Sequence, residues 1–204
     1  MKQPLDGKGK WYNAAMDNKK LLNFFFELGQ MRRIKHEGWR VAGVDHPESV
    51  ADHTLRAAQI AFFLAKMEKY PNPFEICTIM LFHDIGECRI GDLHKIAIRY
   101  VTSDEERAVK DQMASLGEPG KQVLELWRQM EKHHTKAGII AKDADYLEQA
   151  VTAKEYIEKG HKFAMDWIHN VSKRLKTASA KKLLKDLGKV DPHDWCGGLK
   201  VIGE

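Results

Sequence analysis

The sequence predicts an all-α fold, and three observations support this prediction. Apolar residues recur at helical spacing in several long segments, no segment alternates in the manner of a half-buried β-strand, and prolines and glycines fall mainly between the periodic segments. A chain of 204 residues is long enough for one hydrophobic core and requires no second domain. We therefore expect a bundle of six to eight helices.

In the N-terminal half, helix punctuation separates three periodic segments. Pro47 precedes the second segment, and Pro71 and Pro73 separate it from the third. The first predicted helix has Leu21, Leu22, Phe25 and Leu28 on its inner side. The three predicted helices span roughly 16–35, 48–69 and 74–86, and an irregular loop with a short helical turn is expected over roughly 87–102.

The C-terminal half shows further helical periodicity. Ser103 is the expected N-cap of a helix that ends near Leu116, with Glu106 completing a capping box. Ser179 is the expected N-cap of the last helix, Ala180–Leu187. Between them, helices are predicted over roughly 119–133 and 136–159, and a weaker one begins near Phe163.

Composition narrows the classes of function. The formal net charge of +4 slightly favours small anionic ligands and supplies no broad basic stripe, so we expect no stable nucleic-acid partner. Three dispersed cysteines without Cys-x-x-Cys spacing fit a reducing compartment. Met1–Lys10 carries no apolar signal segment, and the longest apolar stretches are too short to cross a bilayer. The expected location is the cytoplasm, without membrane contact.

The strongest candidates for chemistry lie at the end of the third predicted helix. Two adjacent stripes begin apolar and become ionisable: Ile76, Met80, His83 and Glu87, and beside them Cys77, Leu81, Asp84 and Cys88. Burial of two carboxylates beside an imidazole is costly unless a cation or a tight polar network compensates them. A bound divalent ion is the simpler hypothesis.

His53 shares the apolar face of the second predicted helix with Ala57, Ile60 and Leu64. It is either a core histidine bonded to a carbonyl or a further metal ligand. Imidazole and carboxylate ligands together predict one divalent transition metal, namely Mn, Co, Zn, Fe or Ni, with Mg as a further candidate.

Another carboxylate ligand is expected from the helix over roughly 136–159. Asp143 and Asp145 point to different sides of this helix, and its apolar positions place Asp143 nearer the buried face. A helix that is buried all round has no unique inner face, which leaves Asp145 open as the ligand. The adjacent His133 and His134 are another possible source of a ligand, although exposed histidine pairs are common.

Several segments, in one collinear order over about residues 20–155, resemble the HD-domain 5′-deoxynucleotidases. The order of His53, then His83-Asp84, then a distant aspartate is the pattern that names the HD superfamily. The matching segments are Trp39 to Val44, Pro47 to His53, His83 to Glu87, Gly91 to Leu93, Leu126-Trp127 and Ala144 to Leu147. The resemblance implies a single HD-type domain over residues 1–204, with its core at about 20–160 and a C-terminal helical extension at about 161–204.

The resemblance also implies roles for individual residues. The implied metal ligands are His53, His83, Asp84 and Asp145. Glu87 is the implied general acid/base and, with Asp84, forms the catalytic pair, while Asp92 contacts a sugar hydroxyl and Trp39 lies against the substrate. On the residues alone, Trp39 is either a core residue or a pocket wall.

One departure from the family pattern concerns the phosphate. Members usually carry an arginine just before the tryptophan, and here Gly38 occupies that position. Arg33, Lys35 and Arg40 are the candidates to supply the missing charge. Lys95, together with Arg89 and Arg99, lies in the loop after the HD motif and is a further candidate to bind substrate.

The expected function is metal-dependent removal of the 5′-phosphate from deoxyribonucleoside monophosphates, giving nucleoside and inorganic phosphate. The alternatives are hydrolysis of nucleoside triphosphates or cyclic nucleotides and, from another class, a metal- and nucleotide-binding module without catalysis. The family resemblance also implies a homodimer.

Overall fold

A computed structural model describes residues 17–199, and these residues form helices joined by short loops. The α-helices are α1 (Asn18–Leu28), α2 (Gly38–Val41), α3 (Val50–Met67), α4 (Pro73–Phe82), α5 (Glu87–Ile90), α6 (Glu105–Met113), α7 (Gly117–Lys132), α8 (Lys136–Glu158), α9 (Met165–Ser172) and α10 (Ala178–Leu187). Short 3-10 turns occur at Gly29–Arg32, Ala97–Arg99, Lys162–Ala164 and Asp194–Cys196.

These elements confirm the all-α prediction. Two of the helices, α2 and α5, have only four residues, so eight longer helices remain, at the upper end of the expected number. Over residues 17–199 the only β-type pairing is a single bridge between Lys35 and Ser49. No helix in that range combines the length and apolarity needed to cross a membrane.

The second predicted helix matches α3 to within two residues at each end, whereas the first ends early and buries a different face. Residue 16, where the first helix was expected to begin, lies outside the described residues, and α1 gives way to a 3-10 turn after Leu28. Leu22 and Phe25, expected on the inner side, are each 52% exposed, whereas Phe24 is buried. The buried face of a short surface helix is set by which side chains contact the core. In α1 that side chain is Phe24, which packs in the cluster that contains Met31 and Trp127.

Two of the predicted helix caps are wrong by one or two residues. Asp104, and not Ser103, caps α6, with its carboxylate accepting a hydrogen bond from the Arg107 backbone N–H at 3.0 Å. The capping box expected there therefore does not form. Thr177, and not Ser179, caps α10. Aspartate and threonine are both good N-caps, so the choice between neighbouring candidates depends on where the incoming chain is held.

The third predicted helix also ends early. It was expected to continue to Gly86, but α4 ends at Phe82, and a turn precedes α5. At this point the His83 ring Nδ1 lies 2.7 Å from the Met80 carbonyl and donates to it. The chain changes direction in this turn, which contains His83 and Asp84.

Three helices surround the largest hydrophobic cluster. They are α3, α4 and α8, with Met130, Val171, Leu175 and Ala180 added from the flanking segments. The helix α8 has twelve buried residues distributed over its length, so it lies at the centre of the bundle. Its polar residues are therefore enclosed, and each of them needs a partner.

Candidate active site

Four ionisable side chains from three parts of the chain converge between α3, α4 and α8. His53 lies in the first turn of α3, His83 and Asp84 follow α4 directly, and Asp145 lies within α8. The Nε2 atoms of His53 and His83 are 3.3 Å apart. Asp145 Oδ1 lies 3.3 Å from His53 Nε2, and Asp84 Oδ2 lies 2.8 Å from His83 Nε2. His53, His83 and Asp145 are all buried.

The two imidazoles are held so that the same nitrogen of each faces the cluster. His83 donates through Nδ1 to the Met80 carbonyl, and His53 directs Nδ1 at the Glu148 carboxylate. In the neutral tautomers that these contacts favour, both Nε2 atoms carry lone pairs and face each other and the carboxylates. Such an arrangement of lone pairs and negative charge needs a proton or a cation at its centre.

The donor set and its spacing fit a divalent metal. Two imidazole nitrogens that each bind one ion at about 2.0–2.1 Å are themselves roughly 3 Å apart. The observed separation of 3.3 Å meets this requirement. Imidazole with carboxylate is the donor set of the Mn, Fe, Co, Ni and Zn sites.

Without a metal, the charges of the cluster compensate one another. Burial lowers the pKa of His53, but hydrogen bonds to Asp145 and Glu148 outweigh burial and hold it well above its ordinary value. Burial raises the pKa of Asp145, but Lys142 and the two histidines outweigh that and hold it well below its usual range. A proton on His53 thus occupies the role that a metal cation would fill.

Glu148 and Arg56 support His53 from behind, and the sequence analysis missed both. Glu148 is fully buried and accepts hydrogen bonds from Arg56 Nε at 2.8 Å and from Thr152 Oγ1 at 2.8 Å. Arg56 also pairs with Glu155 at 2.7 Å. Arg56 lies three residues after His53 on α3, and Glu148 lies three residues after Asp145 on α8. Residues at this spacing share a helix face, so each ligand candidate could have pointed to its supporting residue in the sequence.

The two aspartates of α8 have separate environments. Asp145 faces the histidines, and its other contacts are Lys142 Nζ at 3.0 Å and Gln149 Nε2 at 2.8 Å. Asp143 points away and accepts hydrogen bonds from the Lys176 and Thr177 backbone N–H groups and from Thr177 Oγ1. It therefore anchors the beginning of α10. Periodicity favoured Asp143 because it assumed one inner face, whereas α8 is enclosed on several sides.

A cavity of about 520 Å³ opens onto the cluster, and Glu87 lines it. Glu87 Oε2 is buried without a hydrogen-bond partner among the described residues. Burial, with the negative charges of Asp84, Asp92 and Glu105, raises the pKa of Glu87 to about 10. Burial and the charge of Asp84 likewise raise the pKa of Glu105 to about 7. Glu87 is therefore a neutral acid at the edge of the candidate metal site.

Gly86 is required for this arrangement. A Cβ atom added at Gly86 would lie 2.7 Å from Glu105 Cγ, which is closer than real contacts allow. The missing side chain lets α6 bring Glu105 to the cavity beside Glu87.

Of the two residues expected to contact the sugar and the body of the substrate, Asp92 and Trp39, only Asp92 lines the cavity. Asp92 lines the cavity, and its Oδ2 accepts a hydrogen bond from the Glu37 backbone N–H at 2.6 Å. Trp39 is fully buried and does not line the cavity, which corrects the expectation that it lies against substrate. Trp167 lines the cavity instead and stacks on Trp39 with ring centroids 4.8 Å apart. Sequence reasoning missed Trp167 because it lies in a segment without a recognisable motif.

The arginines expected to hold a phosphate lie elsewhere. Arg33 is bonded to the Gly29 carbonyl, and Arg40 is bonded to Asp45 and Glu37; neither lines the cavity. The lysines and arginines that do line it are Lys95, Lys142 and Arg174. Of these, the sequence had suggested Lys95 alone.

His133 and His134 lie outside the cluster. His133 ends α7 in a left-handed conformation and lines a neighbouring cavity of about 300 Å³, and His134 is exposed. Burial and the charge of Lys142 lower the pKa of His133. Neither histidine approaches the ligand atoms of His53, His83 and Asp145.

Comparison with known proteins shows which family the chain resembles. The family model of the HD domain matches residues 28–186. The chain is 33% identical over 150 residues to 5′-deoxynucleotidase HDDC2 of Dictyostelium discoideum, covering 69% of this chain and 79% of that protein. It is 31% identical over 148 residues to 5′-deoxynucleotidase HDDC2 of Homo sapiens, covering 71% and 72%. A conserved hypothetical protein from Pyrococcus furiosus superimposes with a TM-score of 0.71 at 28% identity, covering 83% of this chain and 99% of that one.

Proposed function

The chain belongs to the HD-domain family, and we propose that it is a metal-dependent phosphohydrolase that releases the 5′-phosphate of deoxyribonucleoside monophosphates. One observation carries the proposal. Two imidazole Nε2 atoms and the carboxylates of Asp84 and Asp145 face one point at the cavity, next to the unpaired Glu87 carboxyl. The relatives named as 5′-deoxynucleotidases support the choice of substrate.

The proposed ligands are His53, His83, Asp84 and Asp145, and Mn, Co, Zn, Fe or Ni fit this set best, with Mg as a further candidate. When bound, the metal supplies a nucleophilic water at neutral pH and stabilises negative charge on the phosphoryl oxygens. The protein residues supply everything else that the reaction needs: a proton for the leaving group, contacts to the sugar and a wall for the base.

Glu87 is the proposed proton donor to the leaving 5′-oxygen. A carboxyl group can donate only if it is protonated at the working pH, and burial with three neighbouring acids keeps Glu87 protonated. A cation held by the neighbouring ligands would favour the ionised form of Glu87 and so ease release of its proton to the leaving oxygen.

Asp92 is the proposed partner of the sugar. The Glu37 backbone N–H fixes one carboxylate oxygen of Asp92, so the other oxygen can accept a hydrogen bond from the 3′-hydroxyl. Apolar side chains of the cavity form the proposed wall for sugar and base, and they are Val41, Leu93, Ile96, Trp167 and Val171. Trp167 offers an indole ring for stacking on the base.

Phosphate release from metal-stripped protein tests the proposal. We expect release from deoxyribonucleoside 5′-monophosphates after Mn, Co, Zn or Mg is added back, and loss of both metal binding and release in Asp84→Ala. Asp111→Ala, an exposed acid on α6, is the matched control and should keep both. Full turnover by Glu87→Gln would show that Glu87 is not the proton donor, since loss of a general acid lowers the rate by about 10²- to 10⁴-fold. No release from any monophosphate by metal-loaded protein would refute the substrate assignment.

A second candidate is hydrolysis of nucleoside triphosphates, which one observation favours. The neighbouring cavity contains Lys173 and Lys176, and it shares Lys142 and Arg174 with the active-site cavity. A row of cations leading away from the ligand cluster would suit a longer phosphate chain. Deoxyribonucleoside triphosphates in the same panel distinguish the two candidates by which substrate has the higher kcat/KM.

A homodimer and a cytoplasmic location complete the proposal. Phe25 and Phe26 on α1 expose large apolar surfaces, 52% and 75% of each residue, which is the kind of surface that a subunit interface covers. Light scattering after gel filtration tests the dimer. The three cysteines are free, which is compatible with a reducing compartment.

A further inference from the structure

Arg174 lies directly after α9, in a segment to which the sequence analysis assigned no function. It is the only arginine among the described residues that lines the active-site cavity. Within residues 17–199 it has no carboxylate within 4.0 Å, whereas Arg40, Arg56 and Arg89 are all paired with acids. The guanidinium carbon of Arg174 lies 5.9 Å from the centre of the Tyr146 ring.

Arg174 is linked to the ligand cluster through Tyr146 and Lys142. The Lys142 ammonium group contacts the same Tyr146 ring, at 5.4 Å, and lies 3.0 Å from Asp145 Oδ2. Two side chains, Tyr146 and Lys142, thus connect Arg174 to the proposed metal ligand Asp145. Tyr146 provides a fixed aromatic surface against which the guanidinium rests.

The cavity cations also act on one another. Partial desolvation and the positive charges of Arg174 and Lys142 lower the pKa of Lys95. Lys95, Lys142 and Arg174 come from three separate parts of the chain and lie close enough to repel one another. Such a cluster of cations indicates a binding site for an anion. Lys142 is already paired with Asp145, so Arg174 is the cation whose planar group of five donors remains free for a phosphate.

The segment around Trp39, where the phosphate-binding arginine was expected, offers no such group. Position 38 carries no side chain, and a Cβ there would lie 3.4 Å from Trp167 Cζ2. Arg33 and Arg40 are directed away. We infer that Arg174, supported by Lys95 and Lys142, binds the phosphate of the substrate, so that the C-terminal segment completes the active site. This inference rests on the proposed function and names the residue that holds its substrate.

The test compares Arg174→Gln with Lys181→Gln in full-length, metal-loaded protein. Lys181 is an exposed cation on α10 that lines neither the active-site cavity nor the neighbouring one. We expect Arg174→Gln to raise KM for a deoxyribonucleoside monophosphate about tenfold or more with a smaller change in kcat, since uniform binding is lost. The KM of Arg174→Lys should lie between those of wild type and Arg174→Gln, because lysine keeps the charge and loses the bidentate geometry.

Binding of inorganic phosphate, measured by calorimetry on the same proteins, gives a readout independent of turnover. Arg174→Gln should weaken it about tenfold, and Lys181→Gln should not. If the wild type is active and Arg174→Gln matches it in KM and phosphate affinity, the inference is overturned and the proposed function stands. If no monophosphate is hydrolysed but phosphate binding still depends on Arg174, the proposed function fails and the anion subsite stands. Equal phosphate affinity in an inactive protein overturns both.

Discussion

The substitution Glu148→Gln removes a buried negative charge and leaves the size of the side chain nearly unchanged. Glu148 is fully buried and faces His53 Nδ1, and Arg56 and Thr152 hold its other oxygen. A carboxylate behind a ligating histidine fixes the ring and makes its free nitrogen a better ligand, and loss of such a partner typically costs 10- to 100-fold in metal affinity. We therefore expect Mn or Co to bind about 10- to 100-fold more weakly, equivalent to about 1.4–2.7 kcal/mol.

The expected loss depends on pH. Glu148 is one of the two carboxylates that hold the pKa of His53 well above its ordinary value, so the substitution also makes that proton easier to remove. Because metal and proton compete for Nε2, the easier deprotonation offsets part of the weaker binding at low pH. The full loss should therefore be seen near pH 8, with a smaller difference near pH 6.

Competition with a fluorescent chelator measures the affinity, and Glu155→Gln is the matched control. Glu155 pairs with the same Arg56, at 2.7 Å, but it is not a partner of His53. The control should therefore keep wild-type affinity for the metal. Wild-type affinity in Glu148→Gln at pH 8, with the protein folded by circular dichroism, would refute the reasoning that the carboxylate tunes His53.

Three further predictions concern other residues of the site. Asp143→Ala should lower the free energy of unfolding by about 2–4 kcal/mol, since three hydrogen bonds to a buried carboxylate are lost, and keep metal binding, whereas Asp145→Ala should abolish metal binding. The opposite pattern in calorimetric metal titrations would reverse the assignment of the two aspartates. The pKa of Glu105, raised to about 7, means that folded metal-free protein loses stability as the pH rises from about 4.5 to 7. Glu105→Gln should thus be more stable than wild type by about 1–3 kcal/mol at pH 8 in urea titrations and equal to it near pH 4.5, and equal stability at both pH values would contradict this. Trp167→Ala should raise KM for nucleotides about tenfold and leave the affinity for inorganic phosphate unchanged, and an unchanged KM would exclude stacking on the base.

The local pattern of residues was sufficient for much of the fold. Apolar spacing with proline and glycine breaks predicted α3, α7 and α8 to within about two residues. Caps were less certain because several good capping residues stood side by side at each helix start. The contact of Thr177 with Asp143 decides one of them, and that contact joins residues far apart in the chain.

The sequence by itself identified the ionisable groups to which we assign the chemistry. The adjacent stripes ending at His83, Asp84 and Glu87 could not be buried without compensation, and this conclusion needs no coordinates. Tertiary structure alone decided which distant residues join them. Asp145 rather than Asp143 faces the histidines because α8 is enclosed on several sides, and periodicity identifies a functional face only when a helix has a single buried side. Arg174 and Trp167 reach the cavity only through the packing of α9 on α8, and long-range contacts of this kind leave no periodic trace in the chain.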